Sequence, residues 1–132
     1  MNNHEIDSKL DDIALVQFVW KNTKLLTACL LIAEKALQRG IFWPDELTFD
    51  FLLTEDDRNC IGSAWRMASK KLAIIEKTGS FRRSTGNNAN GRTIFQYKLV
   101  SRPLAEAFLK RYDVEKYKKL MHPQLDMFHG QA

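Results

Sequence analysis

The sequence is short of the residues that carry most catalytic and metal chemistry. Its 132 residues hold three histidines, His4, His122 and His129, all near the two ends. Neither these nor the two cysteines, Cys29 and Cys60, have the ligand spacing of a zinc site. Two cysteines build no disulfide framework, so a reduced, cytoplasmic setting is the default. Gly86 and Gly91 lie in an asparagine-rich turn with no Lys-Ser/Thr after them, which excludes a phosphate-binding loop of the usual kind. The longest apolar run, Leu25–Ala33, is broken by Thr27 and followed by Glu34 and Lys35. It is too short to span a bilayer and reads as a buried helix. The polar, acidic start of the chain does not read as a signal peptide. The carboxylates Asp45, Glu46, Asp50, Glu55, Asp56 and Asp57 cluster at helix starts, where capping accounts for them. These absences argue against an enzyme, a cofactor, a bound metal, a membrane span or a small-molecule substrate.

What the chain does have is a lopsided charge. Residues 1–60 carry six Lys/Arg and eleven Asp/Glu, a net −5, whereas residues 61–132 carry fourteen and five, a net +9. A basic half of that kind attracts polyanions.

Along the chain, Met1 to Ile6 reads as a loose terminus, and Ser8 as the cap of a helix to about Lys21. A second helix spans Lys24 to Arg39, with Leu25, Ala28, Cys29, Ile32, Ala36 and Leu37 at helical spacing and Gly40 as its stop. Pro44-Asp-Glu reads as the first turn of a short helix that buries Leu47, Phe51 and Leu52. Thr54-Glu-Asp-Asp57 is similar to a capping box. The helix after it is expected to run to Gly79, with Ile61, Ala64, Trp65, Ala68, Leu72 and Ile75 as its apolar stripe. Phe81–Ser84 and Thr93–Val100 read as two strands around the turn-rich segment 85–91. Arg102-Pro103 opens a last helix to about Leu120, bearing Lys110, Arg111, Lys116, Lys118 and Lys119 on one side. Trp20, Trp43, Trp65 and Phe51 are expected in the core.

The stretch from Asp57 to Val100 organises the rest. The polar side of its helix offers Asn59, Ser63, Arg66, Met67, Lys70 and Lys71, and its hairpin carries Arg82, Arg83 and Arg92 with Ser84, Asn87 and Asn88. Arginine can fork onto guanine and asparagine onto adenine, while lysines and hairpin cations suit phosphates or a narrow minor groove. This order of helix, short helix, longer helix and hairpin resembles the winged helix-turn-helix proteins, over about residues 24–100. Leu47-Thr-Phe-Asp-Phe51, Gly62-Ser-Ala-Trp-Arg66 and Ile75-Glu-Lys-Thr-Gly79 look like small winged-helix proteins of bacteriophage and mobile elements. The fold class expected is mainly α with a β-hairpin wing (α+β). Its expected divisions are an N-terminal extension and helix (1–22), the winged-helix domain (23–101), a basic helix (102–121) and a flexible tail (122–132). The resemblance implies duplex DNA as partner.

Within the tail, Gln124-Leu125-Asp126-Met127-Phe128 resembles the bacterial sliding-clamp binding motif, Gln-Leu-Ser/Asp-Leu-Phe, departing only at Met127. An extended peptide of that kind places Leu125, Met127 and Phe128 in an apolar pocket while Gln124 hydrogen-bonds beside it. Together the two resemblances imply a DNA-binding protein docked on the clamp in the cytoplasm of a bacterial host, with a replication-associated role. A sequence-specific transcription regulator and a clamp-directed inhibitor are the rivals. The first or last helix offers a surface for homodimerisation.

Overall fold

The computed structural model describes residues 2–14, 23–84 and 92–121. The first helix, α1 (Asn3–Ala14), starts earlier than the Ser8 cap predicts. Asn2 supplies the reason. Its Oδ1 accepts the Glu5 backbone N–H at 2.8 Å and its Nδ2 donates to Glu5 Oε1 at 3.3 Å, a reciprocal cap. Ile6 and Leu10 are buried, so the expected loose terminus is a packed helix.

Helix α2 (Thr23–Arg39) is the hub. Leu25 to Leu30 are all buried, as are Ile32, Ala33 and Ala36, so it is enclosed on more than one side. Burying each large aliphatic side chain contributes about 1.5–3 kcal/mol. Gly40, at φ +75°, closes it by donating its N–H to Ala36 O at 2.8 Å. A two-residue strand, β1 (Ile41–Phe42), comes next, then a single 3-10 turn at Pro44–Glu46 in place of the expected short helix. Phe51 and Leu52 are nevertheless buried.

Thr54 caps α3 (Glu55–Arg58), its Oγ1 accepting the Asp57 N–H at 3.0 Å. Asn59 keeps helical dihedrals, so α3 leads directly into α4 (Cys60–Arg66) and then a π-helical turn at Met67–Lys71. Here the structure departs most from the sequence expectation. The helix ends at Lys71, not Gly79. Leu72 donates back to Met67 O at 2.8 Å and Ile74 to Ala68 O at 3.0 Å, around Ala73 at φ +54°. Ile75, which continued the helical stripe, instead pairs with Leu99 in a sheet. Strand β2 (Ile75–Arg83) runs antiparallel to β3 (Thr93–Leu99), and β3 also pairs with β1, giving the order β1–β3–β2. Gly79, at φ +100°, sits in a bulge between the Lys77↔Tyr97 and Phe81↔Phe95 pairs rather than at a helix end.

The expected single C-terminal helix is two. Ser101 caps α5 (Arg102–Arg111), its Oγ accepting the Leu104 N–H at 3.3 Å. Asp113 then accepts the N–H of Glu115 at 3.1 Å and starts α6 (Val114–Met121). Both pack on α2, and α1 packs on α5, joined by Arg111 to Asp11 at 2.9 Å. The result is a mixed α+β fold of helices around α2 with one antiparallel sheet on its flank. Among the described residues no helix is long and apolar enough to cross a membrane.

Ala73 occupies backbone space that costs a residue with a Cβ about 1–2 kcal/mol. Ala73→Gly is therefore expected to raise stability by about 0.5–1 kcal/mol, after the glycine's own entropy cost. The urea midpoint measures it, and a lower midpoint would contradict the left-handed turn.

Candidate nucleic-acid interface

Helix α4 is held from three directions, which leaves one face outward. Ala64 and Ala68 are buried against the core, and Cys29 of α2 donates its thiol to Ala64 O at 3.7 Å. Burial pushes the Cys29 thiol up to about 12, so it stays protonated in this contact. Trp65 stacks on Tyr97 of β3, ring centres 4.9 Å apart and planes 22° from parallel, and meets Phe42 of β1 at 5.9 Å. These rings set the helix against the sheet, each such pair adding about 0.5–1.5 kcal/mol beyond its buried area.

At the start of the unit, Lys24 of α2 reaches Asp57 Oδ2 at 2.6 Å. The Lys24 hydrogen bond, helped by Thr54 and opposed by desolvation, holds the Asp57 carboxyl below the usual carboxylate range. A lowered folded value means that the linkage is complete above about pH 4, the unfolded range, and lost as pH falls through the folded value. The tether is thus intact at neutral pH.

The outward face carries Asn59, Ser63, Arg66 and Lys70, at intervals of four, three and four residues, with Lys71 beside them. All five are exposed. Met67, assigned to this face from spacing, is half-buried and packs on the core. Its place on the helix explains the difference: Met67 follows Ser63 by four residues and the buried Ala64 by three, so it stands at the edge between the outward and inward rows. Beyond it the helix widens into the π-turn, where Ser69 Oγ donates to Trp65 O at 2.7 Å.

The arginines of the hairpin differ in exposure and in partner. Arg83 and Arg92 are exposed. Arg82 points away from Arg83, to the other face of its strand. Its Nη2 donates to Asp45 Oδ1 at 2.9 Å and its guanidinium lies 4.5 Å from the centre of the Trp43 ring. Ser84 is also buried, its Oγ donating to Asp45 Oδ2 at 3.5 Å. Arg82 and Ser84 therefore clamp the hairpin onto the 3-10 turn, whereas the sequence placed both among the outward polar groups. No spacing rule relates Asp45 to Arg82 across 37 residues, so the pairing has no signature in the sequence. Asn87 and Asn88 lie outside the described residues, as does the whole peptide Gln124, Leu125, Asp126, Met127 and Phe128.

Arg82→Ala is expected to cost about 1.5–3 kcal/mol of stability, the range for a hydrogen bond to a charged group. Thermal melting measures it. A melt unchanged from the parent would show that the Asp45 clamp contributes nothing.

Among known proteins the chain matches no family model, no curated sequence and no solved structure.

Proposed function

We propose that the chain is a small winged-helix DNA-binding protein that docks on the bacterial sliding clamp through its C-terminal tail, in a replication-associated role. The observation that carries the DNA half is the outward stripe Asn59, Ser63, Arg66, Lys70 and Lys71 on a helix whose other side is locked to the sheet by Trp65 and Tyr97. In this reading α4 is the recognition helix and the β2–β3 hairpin is the wing. The order β1–β3–β2, with β1 between α2 and α3 in the chain, supports that assignment.

The electrostatics support it further. Three of the five stripe residues are cations, and Arg83 and Arg92 stand on the adjoining hairpin. Phosphate contacts position a protein on a duplex, and base contacts specify sequence. On the stripe, the planar side chains of Asn59 and Arg66 are the ones best suited to bidentate base recognition. Affinity is then mostly electrostatic, with limited sequence discrimination, and the tail supplies much of the targeting.

Two measurements test this. Duplex binding by fluorescence anisotropy across a salt series is expected to show a steep negative log–log slope. Loading clamp onto the DNA is expected to raise occupancy. Clamp binding without duplex affinity would replace this proposal with the clamp-directed inhibitor.

A further inference from the structure

One face of the hairpin is unlike a solvated strand face. Phe81 and Phe95 stand opposite each other across β2 and β3, ring centres 6.4 Å apart and planes tilted by 56°. They are 68% and 41% exposed. A cross-strand aromatic pair gives a hairpin some stability, but most of the apolar area here stays in water. The same face carries Tyr97 inward to Trp65 two residues further along β3, so the rings of Phe95 and Phe81 extend it beyond the core.

The surrounding charge is of one sign. Lys77, paired with Tyr97, holds its ammonium 4.2 Å from the centre of the Phe95 ring. Arg83 comes after Phe81 on the same face, opposite Thr93. The one carboxylate in the two strands, Glu76, projects to the opposite face and meets Lys98 at 3.1 Å. Two exposed rings between two cations, on a strand face that carries no acid, suit a ligand that is both flat and anionic. Unpaired bases on a phosphate backbone have that chemistry, whereas bases inside a duplex hide their faces.

We propose that Phe81 and Phe95 form a stacking platform for unpaired bases, so that the protein prefers DNA with a single-stranded segment beside a duplex. This rests on the reading of α4 and the hairpin as the duplex-binding unit, and it adds a structural preference to that reading. The bulge at Gly79 belongs to the same device. It shifts the β2 register by two residues and so brings Phe81 opposite Phe95 rather than opposite Thr93.

The test compares a blunt duplex, the same duplex with an oligothymidine overhang, and the oligothymidine alone, by fluorescence anisotropy at one salt concentration. The parent protein is expected to bind the overhang duplex about tenfold more tightly than the blunt one, the scale of one stacked base. Phe81→Leu with Phe95→Leu keeps the strands apolar and removes the flat rings. It is expected to abolish the overhang advantage while blunt-duplex affinity holds and the thermal melt falls only by the small contribution of the cross-strand pair. Equal affinity of the parent for the two duplexes overturns the platform and leaves the duplex reading standing. A full overhang advantage in the double-leucine variant overturns it too. Conversion of a dimer to a monomer by that variant, seen in sedimentation, overturns it in favour of a contact between copies. Oligothymidine binding that survives when the blunt duplex does not bind at all overturns the duplex reading alone.

Discussion

Changing Arg66, Lys70 and Lys71 together to alanine is expected to flatten the salt dependence of duplex binding by up to about 2.7 units of log slope. Each phosphate neutralised releases condensed counterions worth roughly 0.9 of a unit, and three cations are removed. Affinity at low salt should fall on the order of a hundredfold. Stability should barely change, because all three side chains are exposed and their helix is held from its other side. Arg82→Ala should do the reverse. It should lower the melt through Asp45 and Trp43 and leave the slope nearly intact, although Arg82 is a hairpin cation like Arg83. The opposite behaviour of two sets of basic residues, one lying on the helix and one clamped to the 3-10 turn, makes the pair of variants decisive. An unaltered slope in the triple variant would remove α4 from the interface.

The difference between those two sets also marks what the sequence could reveal. Helix α2 was legible end to end, because Leu25, Ala28, Cys29, Ile32 and Ala36 repeat at helical spacing and Gly40 stops it. Asn59, Ser63, Arg66 and Lys70, outward along α4, its lead-in and the π-turn, were legible for the same reason, being the complement of Ala64 and Ala68, whereas Met67, expected among them, packs on the core. The end of that helix was not. Ile75 lies three residues after Leu72 and so satisfies a helical stripe, yet it also satisfies a strand. The decision belongs to β3, whose Leu99 pairs with Ile75 and whose neighbour Val100 donates its N–H to Ile74 O at 2.7 Å. Long-range pairing overrode local periodicity, and Ala73 absorbed the turn in a conformation that its residue type does not advertise. Arg82 was misplaced for a related reason. Strand alternation puts it opposite Arg83, but only the folded position of Asp45 says which side holds a carboxylate. Asp113 gave a local signal that spacing alone passed over: an acid between Tyr112 and Val114 caps a new helix as readily as it continues an old one.

Leu125→Ala with Phe128→Ala is expected to abolish binding to the bacterial sliding clamp. The peptide begins three residues after α6, a helix packed on α2, so its root is anchored to the core. In the clamp-docking proposal, Leu125 and Phe128 are the two side chains that fill the apolar pocket. Truncating one such anchor typically costs about 2 kcal/mol or more. Removing both costs about a thousandfold in affinity, enough to take a micromolar complex out of range. The fold should persist, because the described residues already enclose a core around α2. The competing account has the same residues folding back as a latch on the domain; the open groove between α1 and α5, where Ile6, Leu10, Pro103 and Ala107 lie among Asp7, Glu106, Lys110 and Arg111, is one described surface it could use. A latch predicts a lowered melting temperature in the double variant, and clamp binding plays no part in it. Surface plasmon resonance on immobilised clamp, read beside the melt, separates the two. Undiminished clamp binding by the variant would sink the docking proposal. Lost binding with an unchanged melt also bears on the DNA half, because the two contacts then act as tethered sites. On clamp-loaded DNA the intact protein should exceed the variant in occupancy by more than either contact alone provides, through effective concentration. If the tail variant and the intact protein occupy clamp-loaded DNA equally, the clamp does not place this domain on its substrate.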